Sequence, residues 1–286
     1  MRHAYRTLTF LALLALIATA TAATGAAPES VSKQIEASML LTGTIEIEAD
    51  GSVRRHSIDN EDKVPDYVLA SIDKWVPAWR FKPVLVDGKA VPARATMRLR
   101  MGAEPSGDDK FSIYIAGASF GESGARATDS VARLERKPPV FPRDVANMGG
   151  KGTVYLLLKV DRQGTVEDVV AEQVNLTALA SDPEMKRIRR RLAAAAVKRA
   201  WEWTFDAPST GELADAEFWS VRVPVEFTYH GDKEVAYGQW EGYLPGPRTR
   251  APWLGDDDGT SGDALASGDL HMVGAGPRLL TPLQEG

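Results

Sequence analysis

The sequence predicts an α+β fold made of tandem β-β-α-β modules, each a helix packed on a small antiparallel sheet. Three observations carry this reading. Apolar and polar residues alternate around a glycine turn near Gly51 and again near Gly164, the period-two pattern of a β-hairpin. Each hairpin is followed by a stretch whose apolar residues fall three or four apart, the stripe of an amphipathic helix. Each helical stretch ends on the same Trp-x-Phe, at Trp79-Arg80-Phe81 and Trp203-Thr204-Phe205, and leads into another alternating run. Order and landmark residues repeat together, which is the signature of an internal repeat.

The chain opens with an address. Arg2, His3 and Arg6 precede an apolar run from Leu8 to Ala18, and Ala18-Thr19-Ala20 and Ala20-Thr21-Ala22 place small residues at the −3 and −1 positions of a cleavage site. This is the layout of a secretory signal, assigned to residues 1–22. The stretch from Leu8 to Ala23 is about 16 residues, short of the ~20 that cross a bilayer. The alternative reading keeps it uncleaved as an inner-membrane anchor. No later segment is long and apolar enough to span, so the expectation is an exported, periplasmic protein.

The first module is placed at residues 38–102. Thr44-Ile45-Glu46-Ile47-Glu48 alternates, Ala49-Asp50-Gly51 turns, and Ser52-Val53 resumes. A helix opens at Pro65, a residue suited to the first helical position, and carries Leu69, Ile72, Val76 and Trp79 on one stripe. Pro77 is expected to end it early. A turn at Val86-Asp87-Gly88 then precedes a strand from Ala93 to Met101.

Residues 103–137 read as a linker in which Phe111, Ile113 and Ile115 alternate, the period of an extra strand. The second module is placed at residues 138–230. A more apolar strand, Val154 to Asp161, turns at Arg162-Gln163-Gly164 and returns over Val166 to Val170. The helix runs from about Pro183 to Trp203, capped by Ser181 or Asp182, with Met185, Ile188, Leu192, Ala196, Ala200 and Trp203 as its stripe. A strand from Trp219 to Tyr229 closes the unit. Residues 231–286 form a tail in which Trp240, Tyr243 and Trp253 interleave with prolines before the acidic, Gly-rich Asp256–Gly268. That composition predicts a tail that is extended or partly disordered.

The second module opens with Pro138-Pro139-Val140-Phe141-Pro142, then Ala146 and Gly149-Gly150-Lys151-Gly152. With Val160-Asp161, Gly164, Trp203, Phe205 and Pro208 behind them, these residues resemble the pattern of the TonB carboxy-terminal domain family over about Pro138 to Tyr229. The first module keeps only Gly51 and Trp79-x-Phe81-x-Pro83 of that pattern. The resemblance implies one helix on a three-stranded antiparallel sheet, and a periplasmic module that pairs with a short segment of an outer-membrane transporter by strand addition. In transporting members an inner-membrane anchor supplies the pull. Here no long Pro-rich spacer precedes the first module, a departure from the energy-transducer design.

Composition narrows the function classes. The 286 residues carry a formal charge of −5, which disfavours non-specific nucleic-acid binding. The absence of Cys excludes disulfides, thiolate metal sites, a cysteine nucleophile and a lipidated cysteine. No phosphate-binding glycine loop and no nucleophile–base motif is present, so no catalytic residue and no cofactor is assigned. His56 with Asp59 and Glu61 reads as a solvated loop cluster, and Asp256-Asp257-Asp258-Gly259 lacks the alternating ligands of a calcium loop. No metal site is assigned.

The remaining candidate is an edge. Strand addition needs a sheet edge with free backbone groups. Val221, Arg222, Val223, Pro224, Val225, Glu226 and Phe227 form the last strand, and Pro224 cannot donate to a ladder, which favours an edge position. The same proline serves equally to blunt that edge against aggregation. The candidate peptide-binding residues are Val221, Arg222, Val223, Val225 and Phe227. The basic helix residues Lys186, Arg187, Arg189, Arg190, Arg191, Lys198 and Arg199 read as a solvated face, and Trp79 and Trp203 as core anchors. The partners expected are an outer-membrane transporter peptide or another envelope protein, with homo-oligomerisation also open. The rival readings are an anchored energy transducer and a cell-envelope structural or assembly factor. In the last, the two modules pair with each other or with a second chain, and the tail covers an exposed edge.

Overall fold

A computed structural model describes residues 35–107, 110–122, 128, 130–135, 137–211, 213–233, 235–254, 265 and 270–283. The expected signal segment and most of the Asp256–Gly268 stretch lie outside the described residues. The fold is α+β and its strand pairings are antiparallel. No helix among the described residues is long and apolar enough to cross a membrane.

The first sheet is built from β1 (Glu36–Ile47), β2 (Val53–Ile58), β5 (Ala93–Gly107) and β6 (Lys110–Glu122), with β12 (Glu241–Tyr243) arriving from the tail. Between β2 and β5 lie helix α1 (Asp66–Trp75) and the small hairpin β3 (Val84–Val86) and β4 (Lys89–Val91). In that hairpin Asp87 and Gly88 both have positive φ, 51° and 73°, as a two-residue turn matching strand twist requires. The expected linker strand is therefore β6, paired along β5 in register Leu99↔Ala118 and Met97↔Phe120. The alternation predicted for β1 is realised: Met39, Leu41, Ile45 and Ile47 face the core, opposite Met101, Leu99, Ala95 and Ala93 of β5. Val68 and Ile72 of α1 close this core, and Trp79, Phe81 and Phe120 meet edge to face within it. Helix α1 stops at Trp75, just before Pro77, and the chain continues as a single tighter turn over Val76–Ala78.

The second sheet has the order β13-β11-β8-β9. Its strands are β8 (Gly152–Asp161), β9 (Val166–Leu176), β11 (Phe218–Phe227) and the two-residue β13 (His271–Met272). A short pair, β7 (Ala132–Glu135) and β10 (Thr204–Asp206), lies beside it, and helix α2 (Arg143–Asn147) leads into β8. Helix α3 (Asp182–Ala200) packs Met185, Ile188, Leu192, Ala196 and Ala200 onto the sheet. Its start is fixed by Ser181, whose N–H and hydroxyl both donate to Glu184, 3.1 and 2.6 Å away. Packing also explains residues of the stretch that leads into β8. Phe141 stacks on Tyr229 and meets Phe227 edge-on, while a side chain at Gly150 would strike Val145 and Ile188.

The two glycine turns share one geometry. Gly51 and Gly164 have φ of 86° and 80°, and each carbonyl accepts the N–H of the phenylalanine that follows the tryptophan, Phe81 at 2.8 Å and Phe205 at 2.9 Å. Isolated bridges Ser52↔Arg80 and Thr165↔Thr204 lie beside them. Both tryptophans are buried as anchors. Trp203 Nε1 donates to the Lys137 carbonyl, 2.8 Å, whereas Trp79 Nε1 is buried with no acceptor among the described residues.

The helix-free faces of the two sheets meet. Strand β8 is buried on both sides: Val154, Leu156, Leu158 and Val160 face α3, and Tyr155 and Leu157 face the other way, yet are also buried. A strand covered on both faces must be apolar at successive positions, as Val154-Tyr155-Leu156-Leu157-Leu158 is. Arg100 of β5 donates to Ser38 of the neighbouring β1, 2.9 Å, and across the seam to the Tyr155 hydroxyl, 3.3 Å, while Ser119 of β6 lies 3.5 Å from His271.

The tail differs most from expectation. Its described parts are docked, with Tyr243, Leu244, Ala251, Met272 and Leu279 buried. Each aromatic that the sequence placed among prolines has a hydrogen-bonded seat. Trp240 donates to the Tyr67 hydroxyl, 2.8 Å, Tyr243 to Glu36, 2.8 Å, and Trp253 to Ser220, 3.2 Å. Composition missed this because a tail can bury itself against surfaces made elsewhere in the chain without a core of its own.

Candidate functional site

The tail turns the question of the edge into one of occupancy. Val221, Val223, Val225 and Phe227 of β11 are all buried in the core under α3, so their side chains are not offered to a partner. Arg222 points to the opposite face, into the seam. There it binds Glu172 through two parallel hydrogen bonds, 2.8 Å from Nε and 3.1 Å from Nη2. Such a fork-to-carboxylate pair is the strong form of an ion pair. Glu172 reaches it because β9 bulges there: Tyr155 pairs with Gln173 and Leu156 with Ala171, which leaves Glu172 as the extra residue.

What β11 offers is backbone. The Ser220 carbonyl accepts the Val273 N–H at 2.8 Å, on the side away from β8. In an antiparallel strand alternate residues aim both backbone groups to the same side. Arg222, Pro224 and Glu226 therefore face outward with Ser220, and the missing N–H of Pro224 falls where no ladder partner loses it. The outward edge is taken at its first half by the chain itself, with Val221↔Met272 and Arg222↔His271 in register. Beyond Arg222 no strand pairs with it among the described residues.

The opposite edge of this sheet is covered too. Leu176 of β9 exchanges both backbone bonds with Leu244, 3.0 and 2.8 Å, and Thr249 donates to the Glu172 carbonyl, 2.7 Å. Asn175 is buried and its side-chain oxygen accepts the Gly246 N–H, 3.0 Å, so this residue is an anchor for the tail. Arg189 departs from the solvated face expected of α3. It donates to the carbonyls of Val174, Leu244 and Pro245 at 3.2, 3.3 and 3.2 Å, and burial lowers its pKa. Arg191 instead binds Asp144, 2.9 and 3.1 Å, which holds that carboxyl below the usual aspartate range.

A cleft of about 670 Å³ opens at one end of the seam, lined among others by Ser38, Arg100, Tyr155, Glu226, Tyr229 and Glu241. Its charges are of both signs. Lys151 and Asp232 pair across it at 3.2 Å, and Asp232 also accepts the Tyr229 N–H at 3.1 Å. Burial raises the pKa of Glu241 above the ordinary glutamate value, with nearby Glu226 adding to the rise and Arg100 opposing it. The loop cluster considered for metal separates: His56 hydrogen-bonds Asp73 of α1 at 2.9 Å, and Asp59 accepts from Thr42 at 2.6 Å. Sequence reasoning missed Glu172, Asn175, Arg189 and His271. The usable signal was polar residues set inside otherwise apolar strands, Glu172-Gln173 and Asn175 within Val166–Leu176 and His271 beside Met272.

No known protein family, curated protein or solved structure matches the chain.

Proposed function

We propose that the chain is an exported, non-catalytic interaction protein of the cell envelope. In this reading two TonB-like β-β-α-β modules are packed sheet to sheet, and a partner's extended segment is engaged by strand addition at β11. The observation that carries it is that β11 already accepts an extended segment by backbone pairing, through Ser220, Val221 and Arg222. Main-chain pairing of this kind supplies affinity without requiring the strand's own side chains. The matched geometry of Gly51 with Phe81 and of Gly164 with Phe205 supports the tandem-module part of the reading.

The test is an NMR titration of residues 27–286 with peptides from the amino termini of outer-membrane transporters. Saturable shifts at Ser220–Phe227 are expected. The structural or assembly reading is favoured by a different observation, the closure of β9 by Leu244–Thr249 and of β1 by β12. Absence of shifts at β11 at saturating peptide would sink strand addition and leave that second reading. The energy-transducer reading requires the Leu8–Ala23 stretch to be retained, and a mature terminus near residue 23 would remove it.

A further inference from the structure

Residues 270–283 lie on the molecule as a bound peptide lies on a receptor. At one end Met272 is buried in the core of the second sheet, pairs with Val221, and Val273 donates to Ser220. At the other end Leu279 enters the core of the first sheet and bridges to Phe81. There Lys82 donates to the Arg278 carbonyl at 2.9 Å, Leu280 to the Arg80 carbonyl at 2.8 Å, and the Arg80 N–H to the Thr281 hydroxyl at 2.7 Å. The segment thus has two apolar anchors, each flanked by backbone bonds. Between them it passes so close to β6 that a side chain on Gly276 would stand 2.6 Å from the Phe120 carbonyl, and Gly276 has φ of 76°. Only glycine fits there without strain.

We propose that these residues occupy a peptide groove running from the β11 edge to Arg80–Lys82. The groove takes in trans an extended segment of a partner protein with the same chemistry: apolar side chains at the spacing of Met272 and Leu279, and a glycine at the place of Gly276. Residues 270–283 are then an internal competitor. This rests on the strand-addition reading above and adds to it the second anchor on the first sheet, the glycine requirement and the self-occupancy. A segment tethered in the same chain acts at an effective concentration on the order of 1 mM, so a free peptide of ~10 μM intrinsic affinity is weakened roughly 100-fold by it.

The test uses the mature chain carrying Met272→Asp and Leu279→Asp, and a fluorescein-labelled peptide of residues 269–283. The variant is expected to bind the peptide saturably, roughly 100-fold more tightly than the unaltered chain does, by the same effective-concentration argument. A peptide with Gly276→Ala should bind at least about tenfold more weakly, because its backbone meets Phe120. A folded variant that binds no peptide, or binds the Gly276→Ala peptide equally well, overturns the proposal. Should the variant not fold, amide exchange of the unaltered chain decides. Val273 and Leu280 exchanging about 100-fold faster than Leu156 and Leu158 shows a segment that detaches locally, and equal rates overturn the proposal. The two readings fail separately. Transporter peptides that shift β11 while leaving Val273 and Leu280 unchanged refute the competitor alone. Binding of the 269–283 peptide with no response to any envelope peptide refutes the function alone.

Discussion

Replacing Gly164 with Ala tests the turn geometry that Gly164 shares with Gly51. An added Cβ would stand 1.8 Å from the Phe205 carbonyl oxygen, with φ fixed at 80°. Two costs then add. The left-handed conformation costs an L-residue about 1–2 kcal/mol, partly offset by the smaller entropy of the unfolded chain. The contact with backbone cannot be relieved by a rotamer change. The Phe205 segment must retreat, which breaks its N–H bond to Gly164 and strains the Thr165↔Thr204 bridge, for about 1–3 kcal/mol more. A total of about 2–5 kcal/mol follows, a large share of the roughly 5–15 kcal/mol that a domain has. Gly149 supplies the control, since it has φ of 68° and nothing within 4 Å of an added Cβ. Gly149→Ala should cost only the conformational part, about 1 kcal/mol. Urea unfolding followed by tryptophan fluorescence measures the difference, and Gly51→Ala, whose Cβ would lie 2.0 Å from the Phe81 carbonyl, should behave like Gly164→Ala. If Gly164→Ala destabilises no more than Gly149→Ala, the close approach is not what requires glycine, and the equivalence of the two turns loses its physical basis.

Arg222→Ala leaves Glu172 largely buried without its cation and should cost about 3–5 kcal/mol, whereas Arg222→Met with Glu172→Leu should recover most of it; urea midpoints of the variants measure both, and a double variant no better than the single one would refute the argument. Glu241 binds its proton more tightly folded than unfolded, so its contribution favours the fold at low pH and is lost as pH rises through and above the ordinary glutamate value. Glu241→Gln should therefore raise the melting temperature at pH 7 and leave it little changed near pH 4; equal gains at both would exclude the carboxylate as the cause.

The core elements were legible because each rests on a local rule. Glycine turns, a cap at Ser181 or Asp182, and the stripe beginning at Met185 are dictated within a few residues of themselves; the structure puts the cap at Ser181, closed by Glu184, and ends the helix at Ala200, short of the expected Trp203. The limit shows in β6. Phe111, Ile113 and Ile115 gave its period, but its full length, Lys110–Glu122, depends on the partner strand β5 and its register. The predicted site was legible only as an edge. Helix α3 claims the face that Val221, Val223, Val225 and Phe227 present, so what this strand can offer a partner is its outward backbone, the side on which Pro224 lies.

The seam explains why the remaining part was not local. Val154-Tyr155-Leu156-Leu157-Leu158 has no alternation, and a strand without alternation must be buried on both faces. One helix covers one face, so that run already requires a second layer, which the first sheet provides through Arg100 and its neighbours. Packing two sheets this way leaves unpaired edges on both sides, each a template for association. The tail answers at three of them: β12 on β1, Leu244–Thr249 on β9, and β13 on β11. These closures differ in strength. At β9 the tail is held by Arg189, Asn175 and paired backbone bonds, whereas at β11 the strand is two residues long and the edge beyond Arg222 has no paired strand among the described residues. If a partner exchanges with the chain's own tail anywhere, the free energy cost is lowest at β11, which is why occupancy of that edge, rather than its exposure, is the property to measure.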